Sequence, residues 1–243
     1  NFGFKVNSEV FLRLAQNLPL KVIQKHSNNL LQIEALLFGQ AGLLEEAEED
    51  EYVRLLKREY SFLSHKYDLQ NSLIKASAWK FSKLRPNNFP TLRIAQWAAW
   101  LQQTPQLFST IFEWSSPEKV QKQFQIKTSS YWQNHYIFGK ETEKKVPAFG
   151  KSSTENILMN SLVPLLVAYA EAQDNKIYTE KAVLMLEKLP AEDNFITRIW
   201  ESLGLKTKNA FDSQASIELY NHFCTQKRCL SCKIGTAILT SGR

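Results

Sequence analysis

Three cysteines fall close together near the end of the chain, Cys224, Cys229 and Cys232, in C-x4-C-x2-C spacing. His222 stands two residues ahead of the first. Three thiolates and a neutral imidazole are a donor set that suits tetrahedral zinc. An exposed thiolate beside Lys227, Arg228 or Lys233 is a candidate for redox chemistry. Four ligands compressed into the eleven residues 222–232 depart from a standard finger pattern. Three readings therefore stand for His222, Cys224, Cys229 and Cys232: a closed structural zinc site, another metal or redox centre, and structural or free cysteines.

A second group capable of chemistry runs from Trp79 to Leu101, WKFSKLRPNNFPTLRIAQWAAWL. No acidic residue occurs between Asp68 and Glu113, whereas Lys75, Lys80, Lys83, Arg85 and Arg93 all carry positive charge there. Lys80, Lys83, Arg85 and Arg93 are the candidate phosphate contacts, with Trp79, and Phe81 beside it, as stacking surfaces for bases. The bland reading of the same residues places the aromatics in the core and lets the cations snorkel to solvent. Other polar groups read as structural. His26 and His135 sit among polar and aromatic neighbours with no motif to give them chemistry, and the acids from Glu45 to Glu51 read as a solvated helix cap rather than a divalent-metal site. No nucleophilic triad or phosphate loop is visible.

Helices must position these groups. Apolar residues recur at helical spacing at Val10, Phe11 and Leu14, from Leu30 through Phe38, at Val53, Leu56, Tyr60 and Leu63, and at Ile94, Trp97, Ala98 and Leu101. Pro19 marks one helix start, Gly39 and Gly42 a stop, and Pro90 feeds a helix near Thr91 that Pro105 ends. Ser116 and Pro117 open a short helix, and a long helix begins near Thr154 with Pro164 as a kink. The helices of TEKAVLMLEKLP and NFITRIWESLGL are expected to pack as antiparallel neighbours. The expected fold is all-α, an irregular multi-helical bundle with a Cys-containing C-terminal tail. Residues 1–138 form an N-terminal helical portion, 139–152 a loop or boundary, and 153–243 a C-terminal helical portion; one continuous domain is the alternative.

Composition bounds the class. With 243 residues, 44% hydrophobic and 22% charged, the chain can build a sizeable core and is not of disordered composition. Fifteen Phe, eight Tyr and six Trp supply large anchors for helices joined by irregular loops. A formal charge of +6 permits attraction to a polyanion without requiring one. No apolar run approaches the roughly 18 residues of a membrane span, and no signal peptide is evident. Cysteines confined to the tail do not form a secreted disulfide framework, so a cytoplasmic setting is expected. The chain opens without an initiating Met, which leaves a longer parent protein as an open alternative.

Four phrases together make a more specific pattern: NFGFKVN at 1–7, NNLLQIEALLFGQAG at 28–42, LRPNNFPTLRIAQ at 84–96 and CLSCKIG at 229–235. They resemble the uncharacterised bacterial family known as domain of unknown function 2851 (DUF2851), over essentially the whole chain. The resemblance implies the later part of such proteins, following a region that looks like a PD-(D/E)XK nuclease domain. In that preceding region, clustered acids and a lysine would hold a divalent ion and organise attack on a phosphodiester; none of those residues can be placed here. The resulting expectation is a helical accessory or nucleic-acid-positioning module of a nuclease-like protein, with the preceding region as a partner and DNA or RNA as ligand. The alternative is a structural or protein-interaction module packing against that region. Catalysis by this chain alone is not expected.

Overall fold

The computed structural model describes residues 5–240. The aromatic phrase at residues 1–4 lies outside the described residues. The chain divides into two compact units. The first holds the chain up to Trp114 together with Glu118–Leu158, and the second holds Ser115–Pro117 together with the chain from Met159 onward. The segment 139–152, read as a loop or boundary, belongs to the first unit.

The first unit is organised on a helix that is apolar on almost every side. It contains α1 (Ser8–Asn17), α2 (Leu20–Gln24), α3 (Leu30–Gln40), α4 (Glu51–Lys66), α5 (Pro90–Gln103), α6 (Leu107–Glu113), most of α7 (Pro117–Gln123), and α8 (Lys151–Ile157). Every residue of α3 from Ile33 to Gln40 is buried, which makes it the core element. α4 and α5 both pack against it. Asn29 caps α3, its side chain accepting from the Gln32 N–H. Gly39 lies within α3 rather than at its stop: a Cβ there would collide with the Tyr60 ring, so its absence lets α4 approach. Gly42 does mark the turn, with a φ of 70° that favours glycine, and a Cβ would meet the Ile74 carbonyl.

The acidic run acts as a cap in one residue. Asp50 accepts from the Val53 N–H at 2.8 Å and starts α4, whose Val53, Leu56 and Leu63 are buried as the periodicity predicts. Pro90 stands at the first turn of α5, where its missing N–H costs nothing. The all-α expectation needs one correction. His135–Ile137 (β1) and Lys140–Glu141 (β2) form a two-stranded antiparallel sheet turned at Gly139, whose φ is 70°. Three and two residues respectively are too short for a hydrophobic alternation to register in sequence. The fold is mostly helical rather than a clean all-α bundle.

The second unit contains α9 (Val163–Ala172), α10 (Lys176–Lys188), α11 (Phe195–Ser202), α12 (Ala210–Leu219) and α13 (Lys233–Thr240). A π-helical turn, Leu158–Leu162, precedes Pro164, so the expected long helix is interrupted where proline removes an N–H. α10, α11 and α12 each begin at an asparagine whose side chain accepts backbone N–H bonds: Asn175, Asn194 and Asn209. Asn194 completes a reciprocal box with Thr197. α10 packs on α9 and α12, and α11 packs on α12. Thus α12, rather than α11, is a principal neighbour of α10. Met185, Leu186, Leu189 and Trp200 are buried, and Trp200 donates to the Ser216 carbonyl at 3.1 Å. Among the described residues, no helix is long and apolar enough to cross a membrane.

Candidate nucleic-acid interface

The segment from Trp79 to Arg93 is fixed by its backbone before its cations are displayed. Asn7 holds Lys80 on both backbone groups: its Nδ2 donates to the Lys80 carbonyl at 2.9 Å, and its Oδ1 accepts from the Lys80 N–H at 2.8 Å. Lys83 turns the chain with a φ of 61°, a left-handed conformation uncommon for a residue with a Cβ. Phe81 and Phe89 then meet edge to face at 5.5 Å across the turn, and Pro86–Asn88 makes one 3-10 turn into α5. Lys80, Lys83 and Arg85 are all exposed.

The other two candidates in this stretch point elsewhere. Trp79 is buried, donates its indole N–H to the Ala41 carbonyl at 2.8 Å and packs edge-on against Phe11 at 5.0 Å. Both its polar and its apolar surface are already engaged by the protein. Arg93 is 6% exposed; it donates to Gln96 Oε1 at 2.9 Å and Asn88 Oδ1 at 2.8 Å, and its guanidinium lies over the Phe149 ring. Burial lowers its pKa to about 10, which leaves it cationic at neutral pH. Arg93 therefore braces the Asn88 turn from inside. The sequence could not separate these two from the exposed cations because the turn, not the spacing, sets which face each occupies.

A second basic and aromatic face lies on α4. Arg54, Arg58, Phe62, His65 and Lys66 are exposed, and Phe62 is 64% so. Lys66 Nζ stands 5.9 Å from the Phe62 ring and 5.3 Å from that of Tyr67, which Lys25 also approaches at 5.5 Å. Arg58, Ser61, Phe62, His65 and Lys66 line one shallow depression. The i, i+4, i+8 spacing of Arg54, Arg58 and Phe62 was the available signal, masked by the more conspicuous acids ahead of it.

The first unit also holds a polar cluster built around one buried carboxyl. Glu34 on α3 is 1% exposed; Tyr52 donates to its Oε2 at 2.8 Å and Ser129 to its Oε1 at 2.9 Å. Trp132 Nε1 donates to the Tyr52 hydroxyl at 2.9 Å. Tyr52 stacks on Tyr131 at 4.2 Å, Tyr131 stacks on His135 at 3.8 Å, and Tyr131 donates to Asp50 at 2.7 Å. Desolvation raises the Glu34 pKa to about 7, against the lowering effect of its two hydroxyl donors. The carboxyl is thus held in a network that ties α3 to α4 and to the Ser129–Trp132 segment. His135 is likewise an aromatic stacking partner, and His26 bonds Gln32 and Tyr67, in accord with their structural readings.

The tail does not assemble the zinc set. His222 Nε2 pairs with Glu218 Oε1 at 3.0 Å one helical turn back, Cys224 and Cys229 are exposed, and Cys232 is buried. Among the described residues, no group of three or more His, Cys, Asp or Glu side chains could hold a metal. Cys224 closes a π-helical turn, while Cys229 and Cys232 bracket a separate 3-10 turn, so proximity in sequence does not become convergence.

Taken together, these features define a mostly helical protein whose first unit displays a basic turn and a basic, aromatic helix face and encloses an aromatic and polar cluster. Residues 1–195 match the family described as protein of unknown function (DUF2851), and the chain belongs to that family. The matched range stops short of the CLSCKIG phrase. No curated protein and no solved structure matches the chain.

Proposed function

We propose that this chain is a nucleic-acid-positioning module that serves a nuclease-like region preceding it in a longer protein. Lys80, Lys83 and Arg85 contact phosphates in this reading. The observation that carries it is the display of these three exposed cations on a backbone pinned by Asn7, in a stretch with no acid between Asp68 and Glu113. Cations on a fixed backbone lose less freedom on binding than cations on a loose loop, and a stretch without acids adds no like charge of its own against the phosphate chain. The basic and aromatic face of α4 adds contacts of the same kind. In this reading the role is positioning, and catalytic metal chemistry falls to the preceding region.

A second reading has its own support. Ile177, Leu184, Phe195, Leu203 and Leu205 of the second unit are exposed, which favours a protein-interaction role against the preceding region.

Fluorescence anisotropy with labelled duplex and single-stranded oligonucleotides across a salt series tests the first reading. Losing three phosphate contacts in a Lys80→Ala/Lys83→Ala/Arg85→Ala protein reduces the logarithmic salt slope on duplex by about 2.7. Equally weak binding by wild type and variant rejects it. Binding confined to a longer protein that contains the preceding region favours the second reading.

A further inference from the structure

We propose that Cys229 and Cys232 form a dithiol/disulfide couple that exchanges with anionic small-molecule disulfides. The nucleic-acid reading does not use this pair, and it lies beyond the matched residues 1–195. The two residues bracket the 3-10 turn Cys229–Ser231, with the Cys232 N–H donating to the Cys229 carbonyl at 3.2 Å. A turn closed by that bond holds its first and fourth Cα atoms within about 7 Å. A disulfide requires about 4.4–6.8 Å between Cα atoms, so ring closure needs little backbone movement.

The site is built around this turn. The Thr236 N–H donates to the Cys232 carbonyl at 2.8 Å, fixing Cys232 at the entrance of α13. A Cβ at Gly235 would run into the Cys229 carbonyl, so glycine lets the first turn of α13 sit against the Cys229 backbone. The two thiols are also unequal. Cys229 is exposed and Cys232 is buried. That asymmetry separates an attacking sulfur, reachable by a reagent, from a resolving sulfur that the reagent does not reach first.

The exchange balances in two steps. The Cys229 thiolate attacks one sulfur of a disulfide RS–SR, forming a Cys229–SR bond and releasing RS⁻. The Cys232 thiolate then attacks Cys229 Sγ, breaking that bond, closing the Cys229–Cys232 disulfide and releasing a second RS⁻. The protein pair loses two electrons and two protons, and the reagent leaves as two thiols. Charge selects the reagent. Lys227, Arg228 and Lys233 are exposed around the pair, and no acidic residue follows Glu218. A carboxylate-bearing disulfide is drawn to this surface and a cationic one is repelled.

The test treats the full chain with oxidised glutathione, alkylates the remaining thiols and maps tryptic peptides by mass. Cleavage after Arg228 and Lys233 isolates Cys229 and Cys232 on one peptide, and Cys224 falls on another ending at Lys227. The expected result is an internal disulfide in the 229–233 peptide without bound glutathione, while Cys224 keeps an alkylatable thiol. Cys232→Ser then traps one glutathione on Cys229 that only added reductant removes. At low ionic strength, oxidised glutathione reacts faster than the cationic disulfide cystamine, and salt narrows the difference. Wild-type protein that carries glutathione on Cys229 with Cys232 still alkylatable overturns the couple, as does a disulfide through Cys224. Because the wild-type map needs no substitution, a misfolded Cys232→Ser protein does not rescue the proposal. Equal rates for the two reagents at low salt overturn the anionic selectivity.

Discussion

The two units use their large and polar side chains in opposite ways. In the first, Trp132 is fully buried, stacked on Phe38 at 5.1 Å and bonded to Tyr52, which in turn bonds the enclosed Glu34. In the second, Phe195 is 70% exposed and Leu230 is 83% exposed, while three asparagine caps define the starts of α10, α11 and α12. The first unit is marked by stacked aromatics around an enclosed carboxyl, the second by asparagine-capped helix starts around a smaller apolar centre. The lesson is that two helical units can lean on different contacts: long-range side-chain bonds and stacks in one, local capping bonds in the other.

Trp132→Ala breaks the contrast most strongly. It removes a buried indole, its stack and the donor to Tyr52, and is expected to cost about 3–5 kcal/mol in chemical denaturation. A loss below about 1 kcal/mol would mean that the interior of the first unit is not what specifies it.

Glu34→Gln sharpens the same point through pH. The folded-state pKa of about 7 lies above the ordinary carboxyl value of 4.5, so the folded protein binds this proton more tightly than the unfolded chain. The associated stability is fully present below about pH 4.5 and is lost as pH rises through about 7, an effect of about 3 kcal/mol. Urea denaturation from pH 4.5 to 8 should show wild-type stability falling across that window relative to Glu34→Gln. Parallel pH profiles for the two proteins would remove the enclosed carboxyl from the account.

The smallest change belongs to the second unit. Asn194→Ala deletes bonds to the Ile196 and Thr197 N–H groups, at 2.9 and 3.1 Å, and is expected to cost about 1 kcal/mol. Denaturation that matches wild type within error would show that caps do not carry this unit.

Much of the local architecture was legible. The stripe Val53, Leu56 and Leu63 has a spacing only a helix buries on one side, and Pro90 and Pro117 stand at helix starts because a first-turn proline sacrifices no bond. Glu34 was not legible. It lies inside the run Leu30–Phe38, and its partners Tyr52 and Ser129 come from 18 and 95 residues away, so no window of sequence contains the cluster. Gly39 misled for the same reason: a glycine that stops a helix and one that admits a ring from another helix look identical along the chain.

The sequence by itself determined that this chain is mostly helical, that its basic stretch lacks acids, and that its cysteines lie in one short tail, because helical period, charge and spacing are local properties. Tertiary structure alone decided which of those residues face solvent. Lys80, Lys83 and Arg85 emerge while Trp79 and Arg93 turn inward, since Asn7, Ala41 and Phe149 arrive from distant segments to hold them. Burial and partnership are set by contacts across the chain, and those arise only when the helices pack.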